Sequence, residues 1–198
     1  MKNLRNSSDV ISECMGKQFD PLDLEFYCSQ TVKVACDLLG KVFWIRTNPK
    51  FSWSDIRSGA TAGRIVETEA YCGEDDAASH AGRGMTPRSS TMFGEAGRTY
   101  IYFIYGVHEM LNVVTEPVGR AGAVLIRAVE PIWGEVLMAQ RRSHRTHIKK
   151  HELTSGPGKL CQAMGVRMSH NGQSLAGPLF LIGRDDFVPK DILKSERV

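Results

Sequence analysis

Glu67, Glu69 and Tyr71 alternate along Ile65-Val66-Glu67-Thr68-Glu69-Ala70-Tyr71. In a strand successive side chains point to opposite faces, so two carboxylates and a phenol share one side. A carboxylate desolvated at a cleft wall can have the raised pKa wanted of a general base near neutral pH. A half-exposed strand with a solvated acidic face carries the same pattern. A second candidate strand, Thr99-Tyr100-Ile101-Tyr102-Phe103-Ile104-Tyr105, sets Tyr100 and Tyr102 on one face and Phe103 and Tyr105 on the other. Such rings either fill a core or offer stacking surfaces to planar ligands, bases foremost.

Arg127 interrupts Ala123-Val124-Leu125-Ile126-Arg127-Ala128-Val129, which is otherwise apolar on both faces. A guanidinium there needs an anion, either a structural carboxylate or a ligand, and a salt bridge could also position a catalytic acid. Farther along, Arg141, Arg142, Arg145, Lys149 and Lys150 put five positive charges within ten residues, with His144, His147 and His151 among or beside them. That cluster reads as a solvated helix face or as an electrostatic footprint for a phosphate backbone. The histidines lack acidic or cysteine partners at zinc-ligand spacing, so no metal site is expected. Gly156-Pro157-Gly158-Lys159-Leu160 departs from the nucleotide-binding P-loop, which has Ser or Thr after Gly-Lys. It reads as a helix-entry turn whose backbone amides could meet a nucleic-acid phosphate.

The elements that must carry these residues are strands at 64–71, 99–105 and 123–129, with a further strand at 41–46. Between the first two, residues 72–98 form a long stretch with little hydrophobic periodicity, and loops of that length are usually functional. Leu24, Cys28, Val32, Ala35 and Leu39 recur at steps of three and four, so residues 20–40 read as a helix stopped at Gly40. Residues 47–63 read as a polar connection, 131–152 as a basic helix and 159–164 as a further helix.

The 198 residues suit one domain with its own core. Apolar residues make up 42% and charged residues 24%, which excludes disordered and fibrous classes. Net charge is +3 with a pI near 8.6, compatible with a polyanionic partner if the charge is unevenly spread. The longest uncharged apolar run, near residues 100–107, falls far short of the roughly 20 residues of a membrane span, and residues 1–20 lack the apolar core of a secretion signal. Five cysteines without a C-x-x-C pair suit reduced thiols in a cytosol-like compartment.

Taken in order, five blocks resemble the alkyladenine DNA glycosylase family, the 3-methyladenine DNA glycosylases of mammalian type. They are Arg64-Ile65-Val66-Glu67-Thr68-Glu69-Ala70-Tyr71; Ala78-Ser79-His80-Ala81 with Thr86-Pro87-Arg88 and Met92-Phe93; Tyr100 to Gly106 running on to Leu111-Asn112-Val113; Leu125-Ile126-Arg127-Ala128-Val129-Glu130-Pro131; and Ser155-Gly156-Pro157-Gly158-Lys159-Leu160-Cys161-Gln162-Ala163. The resemblance implies an α+β domain over 21–198, with a curved, largely antiparallel β-sheet and surrounding helices, behind an N-terminal extension at 1–20. It implies removal of alkylated or deaminated purines from double-stranded DNA by hydrolysis of the N-glycosidic bond after base flipping, without strand cleavage, by a monomer needing no metal or organic cofactor and no membrane.

By the same resemblance, Glu69 is the base that activates water, with Arg127 holding it. Tyr71, Tyr102 and His80 hold the flipped base, Asn112 opposes the amino group of guanine, and Tyr105 fills the gap in the duplex. Arg141, Arg142, Arg145, Lys149 and Lys159 meet the DNA backbone. A cytoplasmic, nucleoid-associated location is implied in a bacterium, and a nuclear one in a eukaryote. Two features depart from the family pattern. Ser89 stands where asparagine usually follows Thr-Pro-Arg, and members usually continue past a segment like Lys194-Ser195-Glu196-Arg197-Val198 into a further strand, so an open sheet edge is expected. The competing readings are a catalytically inactive lesion-binding DNA protein and a hydrolase of small nucleosides, for which the basic 141–151 segment would be superfluous.

Overall fold

The computed structural model describes residues 7–46, 59–142 and 148–197. In chain order the regular elements are α1 (Ser7–Met15), β1 (Asp20–Pro21), α2 (Thr31–Leu38), β2 (Val42–Arg46), β3 (Ala60–Tyr71), β4 (Thr99–Ile104), β5 (His108–Val114), β6 (Ala123–Trp133), α3 (Glu135–Arg141), α4 (Pro157–Met164) and β7 (Phe180–Arg184). The strands form one antiparallel sheet in the order β1-β7-β2-β3-β6-β5-β4. The architecture is α+β.

Strand alternation sorts the side chains into two layers. Phe43, Ile45, Ile65, Ile101, Leu111, Val113, Val124 and Ile126 face a core completed by Val34, Ala35 and Leu38 of α2, Met138 of α3 and Leu160, Ala163 and Met164 of α4. On the opposite face, Val42, Trp44, Ala60 and Ala62 are covered by Val10 and Ile11 of α1. Ile11 is fully buried, and one such side chain is worth about 1.5–3 kcal/mol in fastening α1 to the sheet. Farther along that face Tyr100, Val114 and Ala123 meet Ala81, Met92 and Phe93, with Tyr71 and Tyr102 packed against them. The site face of the sheet is thus roofed by the long segment between β3 and β4.

Several elements differ from those read in the sequence. The expected helix over 20–40 is only α2, because Asp20 and Pro21 pair with Arg184 and Gly183 of β7 and the Leu22 amide donates to the Ile182 carbonyl. Helix α2 begins at Thr31 because a distant side chain caps it: Glu116 Oε1 accepts from the Thr31 amide (2.8 Å) and hydroxyl (2.9 Å). Strand β3 starts at Ala60, inside the stretch read as a polar connection, and the rest of that stretch, 47–58, lies outside the described residues. The helix expected over 131–152 is displaced by β6, which continues to Trp133; Pro131 sits at a register shift opposite Gly63, where a missing ladder donor is tolerated. Gly134, at φ +77, then turns the chain so closely over β3 that a Cβ would lie 2.6 Å from the Ala60 carbonyl oxygen. Among the described residues of that stretch, Glu135–Arg141 is α-helical and Lys150–Glu152 is a single 3-10 turn, while 143–147 lie outside the described residues.

Candidate active site

Glu67, Glu69 and Tyr71 lie on the site-facing side of β3, while Thr68 between them turns to the helices, its hydroxyl bonded to the Ala35 carbonyl at 2.9 Å. Strand β6 opposes them with an irregularity. Glu67 pairs with Ala128 and Thr68 with Ile126, so Arg127 is the extra residue with no direct register partner. Such bulges re-aim a side chain, and here Arg127 reaches two carboxylates. Its Nη1 donates to Glu69 Oε1 at 2.7 Å and its Nε to Glu67 Oε1 at 3.0 Å. Partial burial works against the guanidinium charge, but Glu69 and then Glu67 outweigh it and hold Arg127 above its ordinary pKa.

The second oxygen of Glu69 is also engaged. The Tyr71 hydroxyl donates to Oε2 at 2.8 Å. Burial first, then the bond to Glu69 and its charge, hold the phenol proton on Tyr71 far above its ordinary range. Glu69 is the better enclosed of the two carboxylates, with its side chain 15% exposed against 53% for Glu67. Two directional donors therefore fix one carboxylate in a single orientation, each bond using one lone pair per oxygen and leaving capacity for a further donor such as water.

An aromatic group stands beside this centre. The His80 ring lies edge-on to Tyr102, centroids 4.5 Å apart, and Tyr102 is 5.4 Å from Tyr100. His80 Nδ1 and the Tyr100 hydroxyl are hydrogen-bonded at 2.7 Å. Burial, and secondarily the charge of Arg88, lower the pKa of His80, so the ring is held neutral. Burial pushes the Tyr100 phenol up to about 12. The 3-10 turn that carries His80 begins at Ser79, whose hydroxyl accepts the Ala81 amide at 3.2 Å. Ser89, fully buried, donates to the Gly84 carbonyl at 3.0 Å and accepts the Thr86 amide at 2.9 Å. At the position where the family pattern has asparagine, serine thus closes the loop that follows His80.

Asn112 is buried on β5, opposite Tyr100, and its amide donates to the Tyr100 carbonyl (3.1 Å) and the Met110 carbonyl (3.4 Å). Tyr105 does not continue β4. It occupies the β4–β5 turn with φ 52, followed by Gly106 at φ 67, and the turn closes through the Val107 amide on the Ile104 carbonyl. Two successive positive φ angles suit Asn-Gly far better than a bulky residue. Tyr105 holds this conformation while 88% exposed, with Phe103 and Val107 exposed beside it.

The basic residues divide. Lys149 and Lys159 are exposed, the latter in the first turn of α4. Arg141 is half-buried and its Nη1 donates to the Ala163 carbonyl at 3.0 Å, so it ties α3 to α4. Arg142 is partly buried, and Arg145, His144 and His147 lie outside the described residues. No group of three or more possible metal ligands occurs among the described residues, and no described helix is long and apolar enough to cross a membrane. Sequence reasoning assigned no part to Arg88, whose guanidinium lies 5.4 Å from the Tyr102 ring centroid, or to Arg197, which lies 4.6 Å from that of Tyr71. Nothing in the local pattern around either one marks an aromatic neighbour.

Fold and site together define an α+β protein with a clamped carboxylate, an adjoining aromatic group and an exposed aromatic turn on one face of an antiparallel sheet. Residues 25–198 match the family model of methylpurine-DNA glycosylases, and the chain belongs to that family. It is similar to proteins bearing the name 3-methyladenine DNA glycosylase: 44% identical to one from Chlorobium phaeobacteroides (strain BS1) over 90% of this chain and 85% of that one, 45% to one from Methanocella arvoryzae over 89% and 83%, and 44% to one from Chlorobaculum tepidum over 87% and 77%.

Proposed function

We propose that this protein is a monofunctional DNA glycosylase that hydrolyses the N-glycosidic bond of damaged purines, methylated and deaminated, after the nucleotide has been turned out of the duplex. The observation that carries the reading is the clamp on Glu69, its two oxygens held by Arg127 and Tyr71 beside the rings of His80 and Tyr102. Family membership and the names of the relatives support it.

In this reading the flipped base enters between Tyr71 and the pair Tyr102 and His80. Aromatic faces favour a cationic alkylated purine, while neutral His80 adds no opposing charge. A water takes the open lone-pair capacity of Glu69. As the bond from the purine nitrogen to C1′ breaks, its electron pair leaves with the base, and positive charge develops on the sugar. The carboxylate stabilises that charge, accepts the water proton and releases hydroxide-like oxygen onto C1′. Arg127 keeps Glu69 aimed, and Tyr71, with its proton firmly held, orients the other oxygen. Tyr105 fills the space the nucleotide vacates, a role suited to a ring held out on a tight turn. Buried Asn112 crowds the exocyclic amino group of guanine. Lys149 and Lys159, with Arg142 and Arg145, supply backbone affinity, whereas Arg141 contributes through packing.

The test is single-turnover incubation with duplexes carrying one 3-methyladenine analogue, hypoxanthine or ethenoadenine, scored by alkali cleavage at the abasic site. Strand-specific cleavage that disappears in Glu69→Gln is the expected result. Lesion-selective binding without any base release would instead favour a non-catalytic lesion-binding protein.

A further inference from the structure

The β2 ladder ends at the Val42–Arg64 pair, and the last backbone bonds on that edge of β3 join Ile65 to Gly40 and Lys41, so residues 66–71 pair in the sheet with β6. The other edge of residues 66–71 is flanked by the segment after β7. Residues 186–197 and Val66–Ala70 line one groove of about 1360 Å³, with Glu69 and Arg127 on its wall. The segment is anchored at its start by a paired contact: Asp185 Oδ1 and Oδ2 accept from Arg64 Nη1 (2.9 Å) and Nη2 (2.8 Å). It is anchored again at Arg197, whose Nη1 donates to the Ala70 carbonyl and to Asp76 Oδ2 (2.7 Å) and whose Nη2 donates to Asp76 Oδ1 (2.5 Å).

This second anchor bears on the proposed base pocket in two ways. The guanidinium lies 4.6 Å from the centroid of the Tyr71 ring. Asp76, which it holds, also accepts the Cys72 amide (2.9 Å) and the Ala78 amide (3.1 Å), bracketing the turn that leads from Tyr71 to His80. Arg197 reaches Tyr71 from the edge left open by β2, whereas Tyr102 belongs to β4, beyond β6 and β5. A planar, bidentate cation on a ring is a geometry that lysine cannot reproduce.

We propose that Arg197 is a positioning residue for the base pocket: stacked on Tyr71 and forked to Asp76, it fixes the Tyr71 ring and the path to His80, so that the slot for the flipped purine exists before DNA binds. The assignment rests on the glycosylase reading of Tyr71 and His80. Its consequence is that lesion capture depends on the docking of residues 185–197.

The experiment compares wild type, Arg197→Ala, Arg197→Lys and Asp76→Asn on an ethenoadenine duplex and on the undamaged duplex. It measures the enzyme concentration for half-maximal single-turnover rate, the rate at saturation, and equilibrium binding to both duplexes. Arg197→Ala is expected to raise the half-saturating concentration about tenfold, within the range of one cation–π contact, with a smaller change in the saturated rate and an unchanged affinity for undamaged DNA. Asp76→Asn should follow it and Arg197→Lys should fall between. Equal weakening on both duplexes would make Arg197 a backbone or folding residue and overturn the proposal, as would an unchanged half-saturation. Tighter lesion binding in Arg197→Ala would also overturn it, placing the guanidinium where the base belongs. Should Arg197→Ala fail to fold, Arg197→Lys carries the comparison. A wild type that neither prefers the lesion nor releases base would sink the glycosylase reading itself, and Arg197 with it. Preference without release would leave the binding comparison decisive for Arg197 alone.

Discussion

Arg127 and Glu69 meet across the β3–β6 pair at the register slip, with Nη1 and Oε1 2.7 Å apart, so the contact depends on one extra residue in β6 rather than on regular strand pairing. Arg127→Ala is expected to slow base release by less than Glu69→Gln does. For the latter the loss expected of a general base is about 10²–10⁴-fold. Arg127→Lys, a point charge without the fork, should recover only part of the loss. Single-turnover rates of wild type, Glu69→Gln, Arg127→Ala and Arg127→Lys on one lesion duplex check this ordering.

Tyr105 supplies a case in which stability and binding should part. Its positive φ costs of order 1–3 kcal/mol in strain, so Tyr105→Gly should leave the protein as stable or raise its thermal midpoint. The same change removes a stacking surface of about 1–3 kcal/mol, weakening lesion-duplex binding roughly five- to a hundredfold. A drop in melting temperature, or unchanged lesion affinity, would contradict the account.

Mild acid should destabilise the fold through two partly buried histidines. His80 and His170 both have lowered pKa values, chiefly through burial. The unfolded chain therefore binds protons first, and stability is full above the unfolded value near 6.5 and falls as pH drops below it toward the folded values. Urea midpoints between pH 7.5 and 5.5 measure the slope, and His80→Gln should reduce it without removing it, since His170 remains.

The Arg64–Asp185 pair is buried, with side chains 10% and 1% exposed. Arg64, directly hydrogen bonded to Asp185, holds that carboxyl below its usual range. Breaking one side of such a pair costs about 3–5 kcal/mol because the other charge is left uncompensated. Asp185→Asn should lower the denaturation midpoint accordingly at neutral pH, and the difference from wild type should shrink in acid as the native carboxylate itself becomes protonated.

Lys149 and Lys159 are exposed, so each neutralised phosphate contact should appear in the salt dependence. Replacing either with Ala is expected to weaken binding to damaged and undamaged duplexes alike and to flatten the plot of log affinity against log salt by about one unit. An unchanged slope would remove that residue from the DNA-contacting set.

The strand periodicity of 64–71 and 123–129, the aromatic run ending at Tyr105 and the α+β class were legible because they are local or period-two patterns, and the ordered blocks made the family recognisable. Helix boundaries were not legible where distant groups set them. Glu116 starts α2, Gly134 passes over Ala60, and Asp20–Pro21 pairs with β7 at the far end of the chain. The residue types at the candidate site were likewise determined by the sequence, including a carboxylate, a phenol and a guanidinium on facing strands. Which of Glu67 and Glu69 is clamped from both sides, and that Arg127 reaches both, was decided by a bulge visible only in the register. The guanidinium on each of Tyr71 and Tyr102 had no local signature at all, because Arg197 and Arg88 come to those rings through tertiary folding. Alternation along one strand says which residues share a face; only packing between distant segments decides which charges meet there.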